Sequence, residues 1–330
     1  MAIQLTIIGL GQIGTSVGLA LADKKDLLVR VGHDRNIPVA RQAEKLGALD
    51  RVEINLPNAV RNASLVLLAL PIDQIRETMQ LIAPDLKEGA VVMDTGPIKE
   101  VVAAWAEELL PEGRHYIGLT PVINPEYLHS TDSGIEAARA DLFRRGLLAI
   151  VTPSGANSDA IKLAADLTRL LGATPLFADP AEIDGLMAAT HTLPQLLAAA
   201  LLNATVDQPG WREARKVAGR TYAEATAPIV HLGEAKTVRA SVLLNQANVK
   251  RVLDSAIAAL QAIRSDIDTE DATALEEHLG RAKKGRDKWW YDRQIADWAN
   301  EETPALQIPE NPGVLGRLFG VGNWKRPKEK

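Results

Sequence analysis

The segment QLTIIGLGQIGTSVGLALA, Gln4 to Ala22, restricts this chain more than any other. A β-rich run leads directly into Gly9, Leu10, Gly11, Gln12, Ile13 and Gly14, and these open a stretch with helical apolar spacing. Gly9 permits a tight turn, Gly11 lets a pyrophosphate approach the backbone, and Gly14 lets the helix lie close on the strand. The N–H groups and dipole of the helix N-terminus then attract the anion. Asp34, in VGHDRN, follows at the spacing expected of a carboxylate that hydrogen-bonds ribose hydroxyls. A carboxylate there repels a 2′-phosphate, which favours NAD over NADP, although Arg35 beside it softens that preference.

Further short apolar runs follow: LLVRVGHD from Leu27, SLVLLALP from Ser64, GAVVMDTG from Gly89, HYIGLT from His115, LLAIVTP from Leu147 and ATPLFADP from Ala173. Between them, stretches such as SVGLALADKK and VVAAWAEELL carry helical spacing. This alternation implies a parallel sheet of βαβ units, and the near-continuous apolar runs imply strands covered on both faces. With the glycine loop it implies an α/β Rossmann-type, doubly wound domain over residues 1–179. Leu70, Pro71 and Thr95 fall in loops at strand ends and are expected to line the nicotinamide side, ordinary turns being the alternative. HYIGLT is expected to end at Thr120-Pro121, presenting Thr120 and Asn124 in an irregular segment.

After Asp179-Pro180 the pattern becomes helical. AEIDGLMAATHTLPQLLAAALLNATV reads as one long helical stretch kinked at Pro194. GEAKTVRASVLLNQANVKRVLDSAIAALQAIRSDI reads as another, with Val238, Val242, Val249, Leu253, Ile257, Leu260 and Ile263 as an apolar stripe. The wide apolar faces imply an all-helical dimerisation and substrate domain over residues 180–290, and a homodimer. Residues 291–330 read as an extended tail. RAKKGRDK reads as an exposed helix end.

The chain has 330 residues, enough for about two domains. A net charge of -5 gives no basic field for nucleic acid. The absence of cysteine removes disulfides, thiolate metal sites and thiol nucleophiles. The N-terminus has no basic region of the signal-peptide kind. LPQLLAAALLNA is expected to be too short to span a bilayer. A soluble cytoplasmic protein is the expectation, with no membrane or nucleic-acid partner, and the six histidines show no metal-ligand spacing.

GLGQIGTSVGLAL, HDRN followed by AEKLGALD, ASLVLLALPI, GAVVMDTGPIK, YIGLTPV, SGIEAARADLF and AEIDGLMAATHTLPQLLAAAL occur in the order found in prephenate and arogenate dehydrogenases. Over residues 1 to about 290 the chain resembles that family. The resemblance implies oxidation of a ring hydroxyl by hydride transfer to NAD(P) with loss of carbon dioxide, a step of tyrosine biosynthesis. The family's Gly-Gly-His-Pro motif matches Gly118-Leu119-Thr120-Pro121, so Thr120 stands where the catalytic histidine would be. In the Asp-x-x-Ser-x-Lys motif Asp94 and Lys99 match, but Pro97 replaces the serine. The family's Ser-His-Leu-Pro-His segment becomes His191-Thr192-Leu193-Pro194-Gln195, and a carboxylate-binding arginine aligns with Lys216. The alternative to a dehydrogenase of this type is an NAD-binding relative without that activity, either a sensor or partner protein or a dehydrogenase for another small carboxylate.

A threonine hydroxyl cannot take a proton at neutral pH, and losing a general base costs about 10²–10⁴-fold in rate. His129, in the loop after Thr120, and His191 are the candidate replacements. On a regular α-helix His191 is expected to point about 100° away from the site. His115, at the start of its strand, is expected far from the functional end. Thr192, Gln195, Lys99 and Thr120 are the implied substrate contacts. Arg212, Arg215, Lys216 and Arg220 share a helical spacing suited to clamping a carboxylate in an interdomain cleft, or simply form a solvated basic face. Asn124 and Asn203 are uncharged polar groups near that cleft, and Asp141 and Glu136 are expected to serve helix and packing geometry.

Overall fold

The structure is a computed structural model that describes residues 2–230, 233–296 and 298. Among these, the chain divides into two compact units, the first over residues 2–183 and the second over residues 184–296. The division falls inside a helix, slightly beyond the expected boundary at 179/180.

The first unit is an eight-stranded sheet in the order β3-β2-β1-β4-β5-β6-β7-β8. Its strands are β1 (Ile3–Ile8), β2 (Leu28–His33), β3 (Arg51–Val52), β4 (Leu65–Leu68), β5 (Val91–Asp94), β6 (His115–Val122), β7 (Leu147–Val151) and β8 (Thr174–Ala178). The helices are α1 (Gln12–Ala20), α2 (Ile37–Lys45), α3 (Leu56–Val60), α4 (Ile72–Ile82), α5 (Glu100–Leu109) and α6 (Ser158–Leu170). Every residue of β4 and β5 is buried, as strands covered on both faces require. The order reverses at β1, which pairs with β2 on one side and β4 on the other. That reversal opens a crevice at the carboxyl ends of β1 and β4, where open α/β sheets bind ligands.

Two features depart from the expected parallel sheet. β3 is a two-residue strand with no apolar run to announce it. β7 runs antiparallel to β6. The connection between them holds short 3₁₀ turns at Pro125–Tyr127 and Gly134–Ala137 and no α-helix, so it does not make a crossover. ARADLF lies in that connection as turns rather than helix.

β6 also runs further than expected. It continues through Thr120 and Pro121 to Val122, pairing with β7 by Thr120↔Ala149 and Pro121↔Leu148. β5 stops opposite Gly118, so the last residues of β6 have a neighbour on one side only. Proline, which lacks an N–H, is tolerated at such an edge.

The second unit is helical: α7 (Pro180–Met187), α8 (Leu193–Thr205), α9 (Trp211–Val217), α10 (Arg220–Thr226), α11 (Ala235–Leu244), α12 (Gln246–Asp268) and α13 (Ala272–Ile295). A π-turn, Ala188–Thr192, joins α7 to α8 in one continuous helical run. The second long helix expected from sequence is two, α11 and α12, broken at Asn245. Asn245 donates from Nδ2 to the Asp184 carbonyl at 2.8 Å and accepts from Asn248 Nδ2 at 2.9 Å, so its amide competes with helix continuation. α13 reaches Ile295, which places RAKKGRDK inside a helix and shortens the expected tail; residues 299–330 lie outside the described residues.

The core of this unit is small: Ala188, Val249 and Val252, with Leu193, Leu196 and Val242 against them. Ile257 and Leu260, two of the seven members of the stripe, are 45% and 60% exposed among the described residues. The helical run Pro180–Thr205 spans 26 residues and is long and apolar enough to cross a membrane by length and composition. LPQLLAAALLNA alone had understated it.

Candidate functional site

Gly9 leaves β1 with φ of 91°, a left-handed conformation that favours glycine. It also has no room for a side chain, because a Cβ would sit 2.4 Å from the Ala69 carbonyl oxygen just past β4. Gly14 is tighter still: its Cβ would lie 2.0 Å from the Gly9 carbonyl oxygen. These two glycines draw β1, the end of β4 and α1 together. Gly11 differs, since nothing lies within 4 Å of its absent Cβ. That open side belongs to the N-terminus of α1, which has no side-chain cap. Uncapped N–H groups and the helix dipole favour an anion there, so the residues present fit a dinucleotide pyrophosphate.

Asp34 closes the loop from β2. Its Oδ2 accepts from the Leu10 N–H at 2.8 Å and its Oδ1 from the Asn36 N–H at 2.7 Å. Each carboxylate oxygen can accept a further hydrogen bond, so the carboxylate is held in place and still able to meet ribose hydroxyls. Arg35 is exposed beside it. Gln12 and Ile13 form the first turn of α1, and Gln12 Nε2 reaches the Ala137 carbonyl at 3.4 Å. Leu70 and Pro71 form the turn after β4, and the Leu70 side chain approaches Gly9. Thr95 continues from β5, its N–H bonded to the Leu68 carbonyl at 3.1 Å. The cradle and these two loops therefore lie along one edge of the sheet.

Next to that edge is a buried polar cluster. Asp94 ends β5; its Oδ2 accepts from Lys99 Nζ at 2.7 Å and from the Gly96 N–H at 2.7 Å, and its Oδ1 accepts from the Tyr116 hydroxyl at 2.6 Å. The side chains of Asp94 and Lys99 are both 0% exposed. Lys99, expected to face substrate, is thus turned inward onto Asp94. Gly118 makes this possible: a Cβ there would lie 2.8 Å from Lys99 Cδ and 3.1 Å from the Tyr116 oxygen. The lysine stem crosses β6 where a side chain would otherwise stand.

Thr120 follows Tyr116 and Gly118 on the same face of β6, two residues apart along a strand. It is 3% exposed, and its Oγ1 has no hydrogen-bond partner. Asn124 serves the turn after β6: its Oδ1 accepts from the Glu126 N–H at 3.1 Å and its Nδ2 donates to the Asp141 carbonyl at 3.4 Å. Asp141 takes a hydrogen bond from the Tyr127 hydroxyl at 2.7 Å, which pushes the Tyr127 pKa up. Glu136 accepts from Gln42 on the surface. His129 is exposed in the turn beyond, and His115 lies at the opposite end of β6.

In the helical unit, His191 lies in a π-turn rather than in a regular α-helix. The Leu193 N–H bonds to the Ala188 carbonyl, a spacing of five, and this widened turn precedes Pro194. Proline cannot donate a hydrogen bond and crowds the carbonyl four residues earlier, and a wide turn relieves both problems. His191 Nε2 lies 3.4 Å from Gln195 Nε2, so the two share a face, while Thr192 is buried. Part of the His191 ring faces solvent in the single chain, yet desolvation by the surrounding protein lowers its pKa.

The basic residues are divided by Gly219. Arg212, Arg215 and Lys216 lie on α9, and Arg220 opens α10. Lys216 pairs with Glu213 at 2.5 Å and Arg220 with Glu224 at 2.8 Å, all exposed. Asn203 is exposed on α8. Among the described residues no group of three or more His, Cys, Asp or Glu is placed to hold a metal. Tyr116 is the residue that sequence reasoning passed over. Counting back from Thr120 in steps of two reaches it.

Two family models match the chain: the nucleotide-binding domain of prephenate dehydrogenase over residues 17–175, and its dimerization domain over residues 179–281. The chain is similar to prephenate dehydrogenase of Bacillus subtilis (strain 168), 24% identical over 96% of this chain and 84% of that one. It is 27% identical to cyclohexadienyl dehydrogenase of Zymomonas mobilis over 86% of this chain and 94% of that one. Its fold is that of prephenate dehydrogenase from Aquifex aeolicus, solved with hydroxyphenyl propionate and NAD+ (TM-score 0.78, 20% identity, covering 87% and 98% of the two chains). It is also that of Synechocystis arogenate dehydrogenase (TM-score 0.70, 22% identity, covering 87% and 100%).

Proposed function

Because this chain belongs to the prephenate dehydrogenase family, we propose that it oxidises the ring hydroxyl of prephenate, arogenate or a closely related cyclohexadienyl carboxylate, using NAD. The single observation that carries this reading is the Thr120 hydroxyl, buried without a partner near the carboxyl end of β6. A buried polar atom of this kind is satisfied when a ligand supplies its partner. The substrate hydroxyl is that partner.

The cradle Gly9–Gly14 holds the pyrophosphate, Asp34 holds the ribose, and Leu70, Pro71 and Thr95 line the nicotinamide side. NAD supplies the hydride acceptor. Thr120 orients the substrate oxygen by a hydrogen bond, since a neutral hydroxyl does not act as base. Positioning alone contributes several kcal/mol to such a step, at about 7–11 kcal/mol for the best-oriented reactants. Proton removal falls to His191 or His129. His191 shares a face with Gln195, and desolvation lowers its pKa from the ordinary histidine value. Thr192, Gln195, Arg212 and Lys216 are assigned to the substrate's polar groups and carboxylate. Lys99 is withdrawn from direct substrate contact by its burial on Asp94.

A homodimer through the helical unit accompanies this reading. The match to a dimerization domain supports it, as does the helical run Pro180–Thr205, of whose most apolar stretch only 17% is buried in the single chain. A second copy, rather than lipid, covers that surface in a cytoplasmic enzyme.

Titration with NAD and NADP, followed by NADH formation with prephenate and with arogenate, tests the reading. The expected result is tighter binding of NAD and turnover of at least one substrate. Failure to bind either dinucleotide overturns the whole assignment. Binding without turnover of either substrate leaves a binding protein or a dehydrogenase for another carboxylate.

A further inference from the structure

The buried cluster of Asp94, Lys99 and Tyr116 has no assigned part in the chemistry, and a purely structural account of it is weak. Burying an ion pair forfeits hydration, and an apolar side-chain set of similar volume usually stabilises a fold as well or better. This pair also requires Gly118, and a glycine inside a strand weakens it. The cost is met at the carboxyl edge of β5 and β6, beside the loop that carries Thr95 and on the face of β6 that carries Thr120.

The geometry connects those two positions. Asp94 collects three donors from three places: the Gly96 N–H from within the loop after β5, Lys99 Nζ from the start of α5, and the Tyr116 hydroxyl from β6. Lys99 Nζ also reaches the Asp94 carbonyl at 3.2 Å. The loop Thr95–Ile98 is therefore pinned at both ends and tied to the strand that bears Thr120. A carboxylate with three charge-assisted or short hydrogen bonds has one preferred orientation, and so do the groups bonded to it.

We propose that Lys99 and Tyr116 are positioning residues for the oxidation step: anchored on Asp94, they hold the Thr95 loop and the Thr120 face of β6 in one fixed relation. The nicotinamide side and the substrate hydroxyl are then presented to each other without reorganisation. This inference rests on the functional reading above and adds to it the residues that set its geometry.

The test compares three full-length proteins: the parent, Tyr116→Phe, and the double variant Asp94→Asn with Lys99→Met. The double variant removes both charges together, so no unpaired buried charge remains. Thermal midpoint, NAD affinity, kcat and KM are measured for each, with prephenate and arogenate as substrates. The parent alone tests the functional reading; an inactive parent overturns that reading and this inference with it. With an active parent, both variants are expected to keep NAD affinity within about threefold while kcat falls about tenfold for Tyr116→Phe and about a hundredfold for the double variant, with KM little changed, as loss of transition-state positioning requires. A double variant that folds and turns over at the parental rate overturns the proposal. If the double variant does not fold, Tyr116→Phe decides: a parental kcat overturns the inference, and a reduced kcat at unchanged NAD affinity supports it.

Discussion

A buried hydroxyl without a hydrogen bond costs a fold about 1–3 kcal/mol, and Thr120 carries that cost. Replacing it by valine keeps the shape and removes the unsatisfied atom. Thr120→Val is therefore expected to match or exceed the parent in thermal midpoint while losing activity by about 10- to 100-fold, since the hydrogen bond to the reacting oxygen is gone. A loss of both stability and activity would show that the hydroxyl serves the fold. The glycine cradle makes the opposite kind of prediction. Gly14→Ala places a Cβ 2.0 Å from the Gly9 carbonyl oxygen, a backbone atom that cannot step aside. Calorimetry is expected to show a loss of NAD affinity together with a lowered midpoint, whereas Gly11→Ala, with open space around it, is expected to lose affinity alone. The role of Gly14 could be read from sequence because its close contact, the Gly9 carbonyl, lies nearby in the chain, whereas the approach of Ala69 to Gly9 comes from the end of another strand. That Lys99 turns inward could not be read in this way, because it depends on Gly118 and Tyr116 from a different strand.

At the scale of single elements, the informative departures are β6 and the run from α7 to α8. A proline marked the expected end of β6, yet the strand continues because β5 has already stopped beside it. Pro194 marked a kink, and the chain answers with a π-turn just before it. Pro194→Ala removes the obstruction to regular α-helix, and recovery of α-helical spacing shifts the phase by about 100° per residue. His191 is then expected to leave its desolvated surroundings, and its pKa, followed by NMR, to rise toward the ordinary histidine value. No change in the titration would show that proline does not hold the turn. The sign for stability follows from the same shift. A histidine whose folded pKa lies below its unfolded value binds protons preferentially when unfolded, so its contribution is present above the unfolded value and is lost as pH falls through the folded one. His191→Gln is expected to flatten the fall in stability below about pH 6.5, the ordinary value for histidine.

For the whole molecule, the two units differ in how far they complete themselves. The sheet unit buries its central strands β4 and β5 fully, whereas the helical unit leaves Leu186, Leu197, Ile257, Leu260 and Ile267 at 39–60% exposure. Exposed apolar area of this extent marks an interaction surface. On the proposed homodimer, placing lysine at Ile257 and glutamate at Leu260 is expected to shift sedimentation from dimer toward monomer. A dimer unchanged by both substitutions would locate the interface elsewhere on the unit.

The sequence by itself determined the parts whose physics is local or periodic. These are the phosphate cradle with its acidic partner, the alternation that builds the sheet, and the switch to helices near residue 180. Each depends on residues a few positions apart, on a fixed spacing such as that from the cradle to Asp34, or on a regular apolar repeat. Only the tertiary structure decided the antiparallel return of β7, the continuation of β6 past Pro121, the inward turn of Lys99 and the π-turn before Pro194. In each case the deciding contact comes from a distant segment or from a strained turn. Burial, hydrogen-bond partners and the room left by an absent Cβ are properties of packing, and no spacing along the chain encodes them directly.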